Sequence, residues 1–222
     1  MARIIIFVVG CLILCASASS EEQFRNLKGG GHLLGETAGQ FFSEGFAAEM
    51  QQACQGKDWK AVRQLSKKMA QASKASPKDV CMSEKLAEQQ ASTGARLDYS
   101  DRGDAQAMRT DSFTFEGGIL VRIHLVYSVP IANIEGYNPK SFSELYAGLQ
   151  EAYGPPSKSY SEPVLDVYGV RYEARHAVWL GKQDVISIIE HPGKEGRTEI
   201  IAETVSEYER AAQAPKNKNP LQ

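Results

Sequence analysis

The feature that most constrains the fold is a pair of adjacent glycines between two alternating stretches of sequence. Residues 112–116 and 119–127 alternate in hydrophobicity with the period of two that is typical of β-strands. Gly117-Gly118 between them fits the two-residue turn of a β-hairpin. The centre of the chain is therefore predicted to form antiparallel strands. The second strand should place Ile119, Val121, Ile123, Leu125 and Tyr127 on one face, and Leu120, Arg122, His124 and Val126 on the other.

Helical patterns precede this hairpin. Thr37-x-x-Gln40 is a capping box, and the apolar residues Phe42, Phe46 and Met50 follow at intervals of four, which predicts a helix that ends near Gly56. A second helix is expected from about Asp58. A third is expected from Pro77 to about residue 92, because proline suits the first turn of a helix.

The second half repeats this plan. Ser141-x-x-Glu144 is another capping box, and its helix is terminated by Gly154-Pro155-Pro156. Strands at 167–180, 184–190 and 198–204 follow, and then a short helix at 205–212. This order predicts an α+β protein with N-terminal helices and an antiparallel β-sheet, rather than a βαβ fold. It also suggests the hypothesis of two related helix-plus-meander units.

The N-terminus is typical of a cleavable secretory signal. Arg3 is followed by an apolar run at 4–14 that is about half of the ~20 residues a spanning helix needs, and Ala16-Ser17-Ala18 suits signal peptidase. We therefore expect export to the periplasm or the extracellular space, with cleavage after Ala18. Two alternatives stay open. The apolar run could remain as an uncleaved membrane anchor, or the chain could carry a lipid on Cys11, since Val8-Val9-Gly10-Cys11 matches a bacterial lipobox.

Five segments follow from these signals. They are a signal peptide at 1–18, a flexible glycine-rich lead-in at 19–35, a helical hairpin plus β-hairpin at 36–130, a helix plus antiparallel meander at 131–213 and a disordered polar tail at 214–222.

Cleavage would remove Cys11 and Cys15 and leave Cys54 and Cys81, which in an oxidising compartment predict one disulfide. Closing a loop of this length stabilises the folded protein by roughly 3–4 kcal/mol in the chain-entropy treatment. The mature chain has 24 basic and 27 acidic residues. This acidic balance argues against nucleic acid and against electrostatic docking on an anionic membrane, since both need a basic surface.

No recognisable catalytic or cofactor motif is present. The histidines His32, His124, His176 and His191 never recur at a spacing of two or four, so no single helix or strand presents a pair of metal ligands. The nucleophile elbow Gly-x-Ser-x-Gly and the phosphate-binding Gly-Lys-Ser/Thr are missing as well. We therefore predict no metal, no cofactor and a non-catalytic role. The alternative is a small secreted hydrolase or metal-dependent enzyme, which a deep pocket joining His124 or His176 to two carboxylates would favour.

One set of residues favours binding. Arg122 and His124 lie opposite the predicted apolar face of the hairpin, and on the strand at 167–180 one parity carries Arg171, Arg175 and Trp179. Arginine and tryptophan are enriched at the energetic centres of protein interfaces. If both strands belong to one sheet, these five residues would form a protein-binding face.

The second half also resembles known families through Tyr153-Gly154-Pro155, the turn Trp179-Leu180-Gly181-Lys182 and the strand Val185-Ile186-Ser187-Ile188. In the first half, Leu33-x-Gly35-x-Thr37 is similar to the start of the helix in the same families. The match, at about 33–53 and 140–190, is to the small α+β modules of outer-membrane assembly lipoproteins and of the β-lactamase inhibitor protein. The resemblance implies a non-catalytic exported module that binds proteins through its sheet face, and it carries over no functional residue.

Overall fold

The computed structural model describes residues 31–67, 75–101, 109–128, 140–165, 169–192 and 196–213. The predicted signal peptide, the residues at 129–139 and the predicted tail lie outside them. The described residues form an α+β fold of six helices and seven strands, which confirms the predicted class. In chain order the elements are α1 (Ala38–Phe42), α2 (Gly45–Gln55), α3 (Trp59–Ser66), α4 (Pro77–Ser92), β1 (Leu97–Asp101), β2 (Arg109–Glu116), β3 (Ile119–Ser128), α5 (Phe142–Tyr153), β4 (Lys158–Leu165), β5 (Arg171–Leu180), β6 (Asp184–His191), β7 (Arg197–Thr204) and α6 (Val205–Gln213).

All seven strands belong to one antiparallel sheet in the order β1-β2-β3-β7-β6-β5-β4. The sheet consists of two meanders, β1–β3 and β4–β7, which meet at their last strands, β3 and β7. Each meander follows one or more helices along the chain. The two halves therefore share a plan, and their common origin stays a hypothesis.

One face of the sheet packs against helices and forms the main core. Near one edge, Phe41 and Phe42 of α1 meet Phe113 and Phe115 of β2 in a group of edge-to-face and stacked rings. Near the other edge, α5 contributes its apolar stripe to the same core, at Phe142, Leu145 and Leu149. Both capping boxes predicted from the sequence are present, at Thr37 and at Ser141.

The predicted first helix is two helices. The chain bends after Phe42, and Gly45 begins α2 with a φ of 58°, a value that glycine adopts without steric cost. Residues 31–35 were predicted to be part of a flexible lead-in. Instead, His32 is buried and stacks on Phe41 at 3.8 Å, and Gly35 N–H donates to the carbonyl of Leu120.

The hairpin forms at Gly117-Gly118 as predicted, but the alternation in β3 does not hold throughout. Thr114 pairs with Arg122 whereas Phe115 pairs with Leu120, so Val121 is the extra residue of a β-bulge. Leu120 is consequently fully buried and Ile119 is 36% exposed, the reverse of the prediction.

Two strands were not predicted. β1 and β4 are the edges of the sheet, and β4 is mostly exposed. β4 also contains Pro163, which suits an edge strand because a central strand would need its N–H for the ladder. The strand predicted at 167–180 begins at Arg171.

The predicted disulfide is present. Cys54, near the end of α2, is bonded to Cys81 in the first turns of α4, with the Cα atoms 5.6 Å apart. Beside it lies a second small core of Met50, Ala53, Val62 and Val80. The bond therefore fastens a helical subdomain that is separate from the main core.

Candidate functional site

The five residues predicted to form one binding face lie on opposite faces of the sheet. Residues directly opposite each other on paired strands share a face. Trp179 is opposite Ile186, Ile186 is opposite Ala202, and Ala202 is opposite Ile123. Trp179 therefore lies on the face of Ile123, whereas the neighbouring Arg122 and His124 point to the other side.

Trp179 belongs to the core. Its side chain is 1% exposed, and its indole N–H donates to the carbonyl of Gly154 at 2.9 Å. Arg175 is on the same face, where its guanidinium donates to Glu190 at 2.8 Å and lies 4.4 Å from the centre of the Phe142 ring. Arg171 has the same parity and is exposed. The prediction of one shared face is thus wrong for Arg171, Arg175 and Trp179.

We call the other side of the sheet the open face, meaning the face that carries Arg122 and His124 and lies opposite α1 and α5. His124 is opposite Ile201, Ile201 is opposite Ser187, and Ser187 is opposite Val178. Alternate residues of β3, β7, β6 and β5 therefore meet here. They include the histidines and carboxylates His124, His176, His191, Glu199 and Glu203.

Glu199 is the centre of an ionic cluster on the open face. Its carboxylate lies 3.0 Å from His124 Nε2, 3.1 Å from His191 Nε2 and 2.8 Å from Arg197 Nε. Only 13% of the Glu199 side chain is exposed. Burial alone would raise the pKa of Glu199, but the two histidines outweigh it and hold this pKa well below its usual range. The carboxylate is therefore charged at every physiological pH.

The helix α6 covers one end of the open face. It is anchored by Glu207, which accepts from Arg96 Nη2 at 2.8 Å and from Arg210. The Glu207 side chain is 3% exposed, so the carboxylate of these ion pairs is shielded from water. The ionic cluster around Glu199 is at the opposite end of β7 from α6.

Beneath α6 lies a cavity of about 230 Å³. Its polar lining includes Arg122 Nε and Glu203 Oε2, which are 3.7 Å apart, and neither atom has a hydrogen-bond partner among the described residues. Burial raises the pKa of Glu203, and Arg122 offsets this only in part.

His176 lies in the wall of the same cavity. Its ring stacks on Tyr160 with the centroids 4.7 Å apart and the planes nearly parallel. Its Nε2 is 3.1 Å from Glu162 but is not aligned for a hydrogen bond. Burial lowers the pKa of His176, while the Glu162 carboxylate opposes that effect. His176 is therefore part of the open face, in the wall of the cavity.

A larger groove of about 520 Å³ runs between α4 and the edge strand β1. Its buried polar groups already contact each other, because the Tyr99 hydroxyl donates to Glu84 at 3.2 Å.

Two observations bear on the enzyme alternative. The cavity beneath α6 is lined by one histidine, His176, and one carboxylate, Glu203, so it does not join a histidine to two carboxylates. Within the part of the chain that the structure describes, no three His, Cys, Asp or Glu side chains are arranged to hold a metal ion.

No local pattern in the sequence indicates that His191, Glu199 and Glu203 form a group. His191 lies on β6 and the two glutamates lie on β7, so spacing along the chain does not bring the three together. Their common parity with Arg122 could be recognised only once the pairing of β3 with β7 was known.

Comparisons with protein families, characterised proteins and solved structures found no match to this chain. No helix within the described residues is long and apolar enough to span a membrane. The Cys54–Cys81 disulfide fits an exported protein, since disulfides persist in oxidising compartments.

Proposed function

We propose that this protein is an exported, non-catalytic module that binds a protein partner through the open face of its sheet. The observation that carries the proposal is the ionic cluster of His124, His191, Arg197 and Glu199 at the end of that face away from α6. Charged groups already held in place by one another lose little side-chain entropy when a partner docks, and they impose a register on it.

The mixture of charges favours a protein over other partners. His124 and Arg197 lie beside Glu199 at the end of the face that α6 does not cover, so this surface has no single sign that would attract a polyanion. Complementary positive and negative groups are the usual means by which protein partners recognise each other.

The proposed compartment is the periplasm or the extracellular space. The disulfide, the signal-like residues at 1–18 and the resemblance to exported α+β modules support it. Attachment through a lipid on Cys11 would keep the same domain at a membrane surface, and mass spectrometry of the mature N-terminus distinguishes the two.

The proposal is tested by capturing partners from the native envelope with two matched double variants. His124→Ala/Arg197→Ala alters the ionic cluster on the open face, whereas Arg171→Ala/Arg175→Ala alters the opposite face. We expect the first variant to lose a partner that the wild type and the second variant both retain. Equal capture by all three proteins, each with an unchanged melting temperature, would contradict binding by the open face.

A further inference from the structure

The cavity beneath α6 contains an unusual pair of polar atoms. Glu203 is 4% exposed, and its Oε2 accepts no hydrogen bond among the described residues. Arg122 Nε, 3.7 Å away, likewise donates none. A buried polar atom without a partner costs about 1–3 kcal/mol, so native structures rarely retain one without a reason.

Apart from Ser187 and His176, the remaining walls are apolar or aromatic. Val178, Ile189 and Ile201 of the sheet face Ala211 and Ala212 of α6, and Tyr160 and Tyr208 also line the space. Apolar walls with a few convergent polar groups are the usual composition of a small-molecule site. The volume is sufficient, since an engineered cavity of ~150 Å³ binds benzene and this one is about 230 Å³.

We propose that this cavity binds a small aromatic carboxamide, with the amide against Arg122 and Glu203 and the ring between the apolar walls. The site is distinct from the ionic cluster, so it does not depend on the proposed protein partner.

The amide follows from the two unpaired atoms. Arg122 Nε–H requires an acceptor, which the amide carbonyl supplies, and Glu203 Oε2 requires a donor, which the amide N–H supplies. A carboxylate ligand offers only acceptors and would place a second negative charge beside Glu203. A hydrocarbon would leave both polar atoms unpaired. The site should therefore discriminate among three ligands of the same size.

The test titrates the mature protein with benzamide, benzoate and toluene, and follows backbone amide signals by NMR. We expect benzamide to shift signals of α6 and of β7 near Glu203, with saturation, and to bind at least about tenfold more tightly than benzoate or toluene, because hydrogen bonds to charged groups are worth ~1.5–3 kcal/mol. The titration of the wild type alone can overturn the proposal. It does so if benzamide causes no saturable shift, or if toluene binds as tightly as benzamide.

Glu203→Leu then assigns the polar contact. It removes the acceptor with a side chain of similar size, and we expect benzamide affinity to fall by about tenfold or more while the melting temperature is maintained. Glu209→Leu is the matched control, since Glu209 is exposed on α6 and does not line the cavity, and it should leave the affinity unchanged. Undiminished binding to the Glu203→Leu protein would also refute the assignment.

Discussion

The two faces of the sheet use similar residues in different ways. On the helix-packed face, Arg175 donates directly to Glu190 on the neighbouring strand and stacks on Phe142. On the open face, Arg122 is also beside a glutamate on the neighbouring strand, Glu203, but the atoms are 3.7 Å apart and do not form a hydrogen bond. The comparison suggests that the first face is completed by folding, whereas the second retains polar groups that a ligand or partner can satisfy.

The largest expected effect is on the helix-packed face. Trp179→Ala removes a fully buried ring and the hydrogen bond to Gly154, and we expect a loss of about 3–5 kcal/mol in the free energy of unfolding. Denaturation in urea measures this loss. Val126→Ala, a partly exposed site on the open face, is the control and should cost less than about 1 kcal/mol. Equal losses at the two sites would remove the distinction between the faces.

The disulfide is a reference for both faces of the sheet, because it belongs to neither of them. Cys54→Ala/Cys81→Ala should lower the free energy of unfolding by about 3–4 kcal/mol, since the unfolded chain is no longer constrained. Partner capture by the folded variant should be unchanged. Thiol labelling of the denatured, unreduced wild type should find no free cysteine in the mature chain, and two labelled cysteines would disprove the bond.

Glu199→Gln tests the ionic cluster. At pH 7 we expect a loss in the free energy of unfolding of about 1–3 kcal/mol, because His124 loses a charged hydrogen-bond acceptor and His191 loses a neighbouring negative charge. The folded-state pKa of Glu199 is depressed, so its contribution is present above the unfolded value of about 4.3 and is lost as the pH falls below it. Urea titrations between pH 7 and pH 3 should therefore show the wild type and the variant converging in acid. A constant difference would refute the role of the charge.

Glu203→Gln should change the free energy of unfolding least, and in the opposite direction to Glu199→Gln. The folded-state pKa of Glu203 is raised by burial, so the wild type is favoured below the unfolded pKa and loses stability as the pH rises through the folded value. At pH 8 the variant should be more stable by roughly 1 kcal/mol, and at pH 4 the two should be equal. A variant that is less stable at pH 8 would show that Glu203 is paired in solution.

Local patterns in the sequence were sufficient for much of the fold. The capping boxes at Thr37 and Ser141, the Gly117-Gly118 turn and the Cys54–Cys81 bond depend on residues near each other or on a single possible pairing. The edge strand β4 was missed because its residues do not show the alternation of half-buried strands, whereas β1 alternates, with Leu97 and Tyr99 toward the core, but has only 5 residues.

The open face was only partly predictable for a different reason. The faces of Arg122 and Trp179 could be compared only through the pairings of β3 with β7, β7 with β6 and β6 with β5. A one-residue change of register in any of these pairs would move Arg122 and Trp179 from opposite faces of the sheet to the same face. The β-bulge at Val121 shows how easily alternation is interrupted.

Photo-cross-linking in the native envelope tests the central proposal most directly. A photoreactive amino acid is placed at Val126, on the open face beside Glu199, or at Glu173, exposed on the opposite face. We expect the Val126 variant to form a discrete covalent complex with one partner protein, and the Glu173 variant to form none. A complex from Glu173 alone, or the same complex from both positions, would contradict binding through the open face.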